Sequence, residues 1–251
     1  MKTFWTIAYK ESAQMLCSQR GLLWLMSYSG LLSAFALLLV SNTELSLLDN
    51  AQVVYMMAGT VVAAGALLAA ILGSDAYAGE KERGTLVPLL CAPIDASALL
   101  TGKALGMLIA WGGMFAVATP YLWAVGASGQ NLGAAVFYLA LFGTPVVLGF
   151  GCLAMALSAC TGSVLASLLS TVILLMLAAS PLLIGPGLRG TIIGRTLDAV
   201  NPFAGALNTF DSVIIDSQPF SAQVARLLLV VAWLGLCLLV ARHSAAQPKF
   251  Q

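Results

Sequence analysis

Residues Val53–Gly73 read VVYMMAGTVVAAGALLAAILG, and Ser74–Leu86, immediately after, read SDAYAGEKERGTL. The first stretch carries no charge and is as long as a helix that crosses hydrocarbon, which takes about 20 apolar residues. The second packs Glu80, Lys81, Glu82 and Arg83 side by side. Lipid cannot satisfy backbone N–H and C=O groups, so a helix, which pairs them internally, is the expected conformation of the first stretch. Gly84 then stops a short charged helix. The pattern is a membrane span running into a charged loop.

Working outward, five further stretches have the same character: roughly Leu22–Val40, Ala104–Gly126, Gly133–Ser158, Ser163–Gly185 and Val224–Ala241. The whole chain of 251 residues is 60% hydrophobic and 8% charged, with a mean hydropathy of +0.96. A soluble domain carries about a quarter charged residues, so a soluble enzyme is excluded. A net charge of +1 excludes a nucleic-acid surface, which needs a basic field. No apolar/polar alternation suggests a membrane β-barrel. The expected fold is all-α: a polytopic membrane protein with six transmembrane helices, forming one domain over residues 1–251.

Residues 1–20 lack the apolar core and small-residue cleavage site of a signal peptide. Trp5, Ala8, Tyr9, Ser12, Met15 and Leu16 fall at helical spacing, predicting an amphipathic interfacial helix. Basic residues stay on the cytoplasmic side. With both termini inside, that side holds Lys2, Lys10, Arg20, Lys81, Arg83, Lys103, Arg242 and Lys249. The outside keeps Arg189, Arg195 and Arg226 among Glu44, Asp49, Asp198, Asp211 and Asp216. Residues 74–103 are then a cytoplasmic loop and 186–222 an extracytoplasmic one. In the latter, Ile192, Ile193, Leu197, Val200 and Phe203 suggest an amphipathic helix; the alternative is a loop anchored by Phe203 and Phe210.

The spans contain no Asp, Glu, Lys or His, and Arg226 lies only at the edge of the last. Proton carriers and voltage sensors hold ionisable groups at membrane depth. No catalytic residue, metal ligand set or resident cofactor is therefore expected. His243 sits on the C-terminal tail, and the cysteines show neither metal-ligand spacing nor a disulfide framework. Gly102-Lys103 resembles the end of a phosphate-binding loop, but Ser97 stands where the first glycine belongs and Ala104 where Ser or Thr belongs. Energy has to come from another polypeptide.

Two small-residue stripes stand out: Gly59, Thr60 and Ala63, with Ala66 and Ala70 beyond; and Ser163, Ser167, Ser170 and Thr171. Such stripes let helices approach closely, and equally line a pathway or a dimer face. In the charged loop, Pro88 and Pro93 punctuate the chain before Lys103, which on the plainest reading extends to the headgroups from a solvated turn.

Glu82-Arg-Gly-Thr-Leu86, Leu89-Leu90, Pro93 and Gly102-Lys103 together resemble the signature loop of ABC-2 type transporter permeases. Ile7-Ala-Tyr-Lys-Glu11, Arg20-Gly21 and Asn201-Pro202 extend the likeness. Ile94-Asp95 departs from it, since a basic residue often follows the Pro in that family. Within the family the loop is most similar to that of permeases supporting nitrous-oxide-reductase maturation. Phe142-Gly-Thr-Pro and Leu148-Gly-Phe resemble, more distantly, cytochrome c maturation permeases.

The resemblance implies a permease subunit in a bacterial or archaeal cytoplasmic membrane, paired with a second copy, more readily an identical one. A separate cytoplasmic ATPase subunit would bind ATP and Mg. Glu80, Lys81, Glu82, Arg83, Gly84 and Thr85 would form the coupling contact, with Cys160-Thr161-Gly162 a lesser one. Export of a hydrophobic or amphipathic substrate is the implied activity. The alternatives are a subunit that drives a partner without moving solute, and a membrane protein with no ATPase partner.

Overall fold

The computed structural model of the chain describes residues 2–41, 50–86, 96–126, 132–183, 191–192, 196, 199–216 and 218–246. Every regular element among them is helical. In chain order these are α1 (Lys2–Leu16), α2 (Gln19–Ser41), α3 (Asn50–Asp75), α4 (Ala78–Glu82) and α5 (Ala96–Gly126). Then come α6 (Leu132–Cys160), α7 (Val164–Leu183), α8 (Pro202–Phe210) and α9 (Val224–Ala246).

Five segments are long and apolar enough to cross a membrane: Gly21–Leu39, Gln52–Glu82, Ser97–Val125, Leu132–Cys160 and Phe220–Ala245. The stretch expected over Ser163–Gly185 is helical too, but its apolar part, Val164–Ser180, is shorter than these. Residues 184–190, which complete the expected span, lie outside the described residues. The chain is a multi-pass membrane protein.

Between helices in lipid the hydrophobic effect offers little, so packing and small residues decide contacts. The core forms around α6, which packs mainly against α3 and α9. At the α3 contact a side chain on Gly73 would strike the Gly151 carbonyl oxygen and come 2.7 Å from Ala154 Cβ. At the α9 contact the Trp233 indole covers Gly149. Phe142, Phe150 and Phe210 are fully buried between these helices. A π-helical turn at Leu139–Gly143 interrupts α6 just before Pro145, whose missing N–H cannot continue the α-helical ladder.

The amphipathic N-terminal segment forms α1, which runs alongside the first turns of α5. Gly102 lies under Ile7 and Gly106 under Glu11, allowing close approach. Of the sequence-derived stripe, Ala8 and Ser12 are buried, whereas Trp5 and Tyr9 are exposed. The inward face is therefore rotated toward Ile7, Ala8, Glu11 and Ser12, because the glycines of α5 admit that edge.

In the 186–222 segment the described residues 192, 196, 199 and 200 are helical, along the stretch where the Ile192–Phe203 stripe suggests a helix. Ile192 and Val200 are exposed, and α8 starts at Pro202, continuing as a π-helical turn over Asp211–Ile215. Asn201 Oδ1 accepts the N–H groups of Phe203 and Ala204, and Asn201 Nδ2 donates to the Ala178 carbonyl of α7 at 2.5 Å. A capping Asn followed by Pro fixes the start of a helix. Apart from Asn208, residues 202–210 are buried, and Phe203 meets Phe150 edge-on. Ile193, Arg195, Leu197 and Asp198 lie outside the described residues.

Candidate functional site

The charged loop folds back onto its own protein. After α3 ends at Asp75, Ser158 of α6 receives the start of α4: its Oγ accepts from the N–H groups of Tyr77 (3.0 Å) and Ala78 (2.7 Å), while donating to the Ser74 carbonyl (2.6 Å). The first N–H groups of a helix have no partner within it, and here another helix supplies the acceptor. Ser158 is fully buried.

Two of the loop charges then clasp the turn between α6 and α7. Lys81 Nζ donates to the carbonyls of Ala159 (2.7 Å) and Thr161 (2.9 Å), at the C-terminal end of α6. Glu82 Oε1 accepts the Val164 N–H at 2.8 Å, at the N-terminal end of α7. A cation at a helix C-terminus and an anion at an N-terminus each match the helix dipole. The two segments read from sequence as separate contacts, Glu80–Thr85 and Cys160–Gly162, are thus one structure.

Arg83 forms a fork with Asp75, at 2.6 and 2.7 Å, and both side chains are about half exposed (49% each). That hydrogen bond raises the Arg83 pKa above its ordinary value, helped by the charges of Asp75, Glu80 and Glu82 and opposed by burial. Gly84 has φ +69°, a conformation that L side chains disfavour, and it ends the loop's short helix as its sequence suggests. The Thr85 hydroxyl bonds the Glu80 carboxylate. Glu82, Arg83, Gly84 and Thr85 are exposed.

Lys103 differs from its sequence reading. It is only 5% exposed, donates to Glu11 Oε1 at 2.9 Å and lies 4.0 Å from Glu80 Oε1. It does not extend to headgroups, because α1 covers it and brings Glu11 as its counter-charge. Helix α5 itself begins at Ala96, before Lys103. Pro88 and Pro93 lie outside the described residues.

The small-residue stripes separate. Ser167 and Thr171 are fully buried, with Ser167 Oγ bonded to the Ala154 carbonyl of α6. Thr60 and Ser170 bond carbonyls one turn back in their own helices. A side chain on Gly59 would come 3.3 Å from Leu207 of α8, Ser163 is half-buried and Ala63 is exposed. Sequence reasoning missed Ser158, Asp75 and Glu11. Ser158 hides in an apolar run, and only its distance in sequence from residues 74–78 conceals the cap; Glu11 was visible as a carboxylate on a helix face without a visible partner.

The chain matches the family described as ABC-2 family transporter protein over residues 6–243. It is also 37% identical over 114 residues to the "Probable ABC transporter permease protein NosY" of Pseudomonas aeruginosa. That match covers 42% of this chain and 39% of the relative. With its apolar helices and a family match over nearly its whole length, this protein belongs to the ABC-2 transporter family as a membrane permease subunit.

Proposed function

We propose that the α4 clasp is the handle by which a separate ATP-binding subunit moves this permease. Six spans cross the membrane, α7 supplying the sixth, and both termini lie on the cytoplasmic side with α4. The ATP-binding subunit, holding ATP and Mg, docks on the exposed Glu82–Thr85 edge and on the adjoining Cys160–Gly162 turn. A second copy of the permease completes a homodimer in a bacterial or archaeal inner membrane. Nucleotide binding pushes α4, and the movement opens the spans for export of a hydrophobic or amphipathic substrate. Thr60, Ala63, Ser163 and Ser170 face the pathway or the second copy, whereas Ser167 holds α7 to α6. Helix α1 lies at the inner surface of the membrane.

One observation carries this reading. Residues Ser74–Glu82 are bonded at once to the end of α3, the end of α6 and the start of α7, so a push on α4 reaches three helices together. The exposed residues of mixed charge beside it suit a docking face, where charge pattern sets register and partner choice. The long uncharged stretches of the spans favour an apolar passenger, since a buried charge costs far more than an apolar group.

The tagged chain, purified from its own cell membranes in several detergents, is expected to bring an ATP-binding-cassette subunit with it. Recovery with no nucleotide-binding protein in any of them contradicts the reading. An intact, hydrolysing complex in vesicles that accumulates no apolar solute selects the other reading, in which movement serves a partner.

A further inference from the structure

Helices α1, α2, α3, α4, α5 and α7 line an open cavity of about 790 Å³, within the range of small-molecule sites. Its lining changes along its length. One part is walled by Trp24, Leu25, Leu31, Leu67, Leu68 and Met114, the other by Glu11, Asp75, Glu80, Arg83 and Lys103. Trp24, Leu31 and Leu67 are each close to half exposed (46%, 50% and 43%). The apolar part is therefore open along α2 and α3, whose exposed apolar side chains can meet lipid in a membrane-spanning chain.

The polar part is built from buried or fixed groups. Lys103 is 95% shielded yet makes one hydrogen bond among the described residues, to Glu11, with Glu80 at 4.0 Å. An ammonium has three donors, so this buried cation has donors left for a ligand oxygen. Arg83 lines the same cavity, held in place by Asp75. Three carboxylates and two cations share the space. An anionic ligand would meet excess negative charge, and a cationic one would leave Lys103 and Arg83 without an added acceptor. A zwitterion answers both.

We propose that this cavity binds a membrane phospholipid with an amino headgroup. Its phosphate is held by Lys103 and Arg83, its ammonium by Glu11, Glu80 and Asp75, and one acyl chain runs along α2 and α3. An ammonium headgroup donates hydrogen bonds to those carboxylates, which a choline headgroup cannot do. The site is a property of the permease alone and stands apart from the ATPase reading.

Full-length permease, delipidated in detergent and titrated with phosphatidylethanolamine, phosphatidylcholine or phosphatidylglycerol, is read by native mass spectrometry. Phosphatidylethanolamine is expected to be retained about tenfold better than the other two, the equivalent of one good charge-assisted hydrogen bond. Arg83→Gln at the exposed edge and Leu67→Trp in the apolar part are each expected to remove most of that preference while the protein stays monodisperse. Equal retention of the three lipids overturns the proposal, as does a preference untouched by both substitutions. Soluble phosphoethanolamine competing as well as the lipid would also overturn it, because the chain would then contribute nothing.

Discussion

At one end of the helices, α4 is capped by Ser158 and tied down by Lys81, Glu82 and the Arg83–Asp75 fork. At the other, α8 is capped by Asn201, and its far end is met by Arg226, which donates to the Asn208 carbonyl, Ser212 Oγ and Gln223 Oε1. At each end a side chain from another helix satisfies a helix terminus, Ser158 at the start of α4 and Arg226 at the end of α8. The difference lies in exposure. Asp75 and Arg83 are half exposed and Glu82–Thr85 open to water, whereas α8 is buried along nearly its whole length. The α4 end presents an exposed charged surface; the α8 end is packed away, its far end met by one cation among neutral oxygens.

The largest expected effect falls where the α4 end is rooted. A side chain at Gly73 meets backbone at Gly151, which cannot swing aside, so Gly73→Leu should cost about 3 kcal/mol or more. Thermal unfolding in detergent, followed by loss of monodisperse protein, measures it. Ser158→Ala comes next: it leaves two buried N–H groups of α4 without an acceptor, at about 2 kcal/mol. Hydrogen exchange should then speed up by roughly thirtyfold at residues 77–82, with α8 unchanged.

Arg226→Met reverses that pattern. It removes the donor shared by Asn208, Ser212 and Gln223, costing about 1.5 kcal/mol, and exchange should accelerate in α8 and its π-helical turn but not in α4. Smallest is Asp75→Asn. An ion pair this exposed contributes below about 1 kcal/mol, so the unfolding temperature should hardly move. Comparable losses from Asp75→Asn and Ser158→Ala would mean that the fork, and not the cap, holds α4.

How far the sequence carries this picture depends on the range of the interactions. The apolar runs announce their helices because a span needs only local composition. The charged turn and Gly84 announce α4 for the same reason. Lys81 and Glu82 are visible as charges, but their partners are carbonyls and an N–H of residues 159–164, which composition cannot mark. Lys103 misleads because nothing in its own neighbourhood shows that α1 returns to cover it with Glu11. Asn201-Pro202 carries a legible cap, because the start of α8 rests on neighbouring residues alone. Ser167 and Thr171 share one spacing with Ser163 and Ser170, and spacing alone does not show that the first two are buried.

The central claim is that force enters through the exposed edge of α4. The direct measurement is ATP hydrolysis by the permease reconstituted with its ATP-binding subunit, comparing the wild type with Glu82→Ala/Arg83→Ala. The account predicts a membrane-inserted, folded double variant that no longer binds the subunit tightly or alters its hydrolysis rate. Wild-type binding and wild-type stimulation in that variant would contradict it.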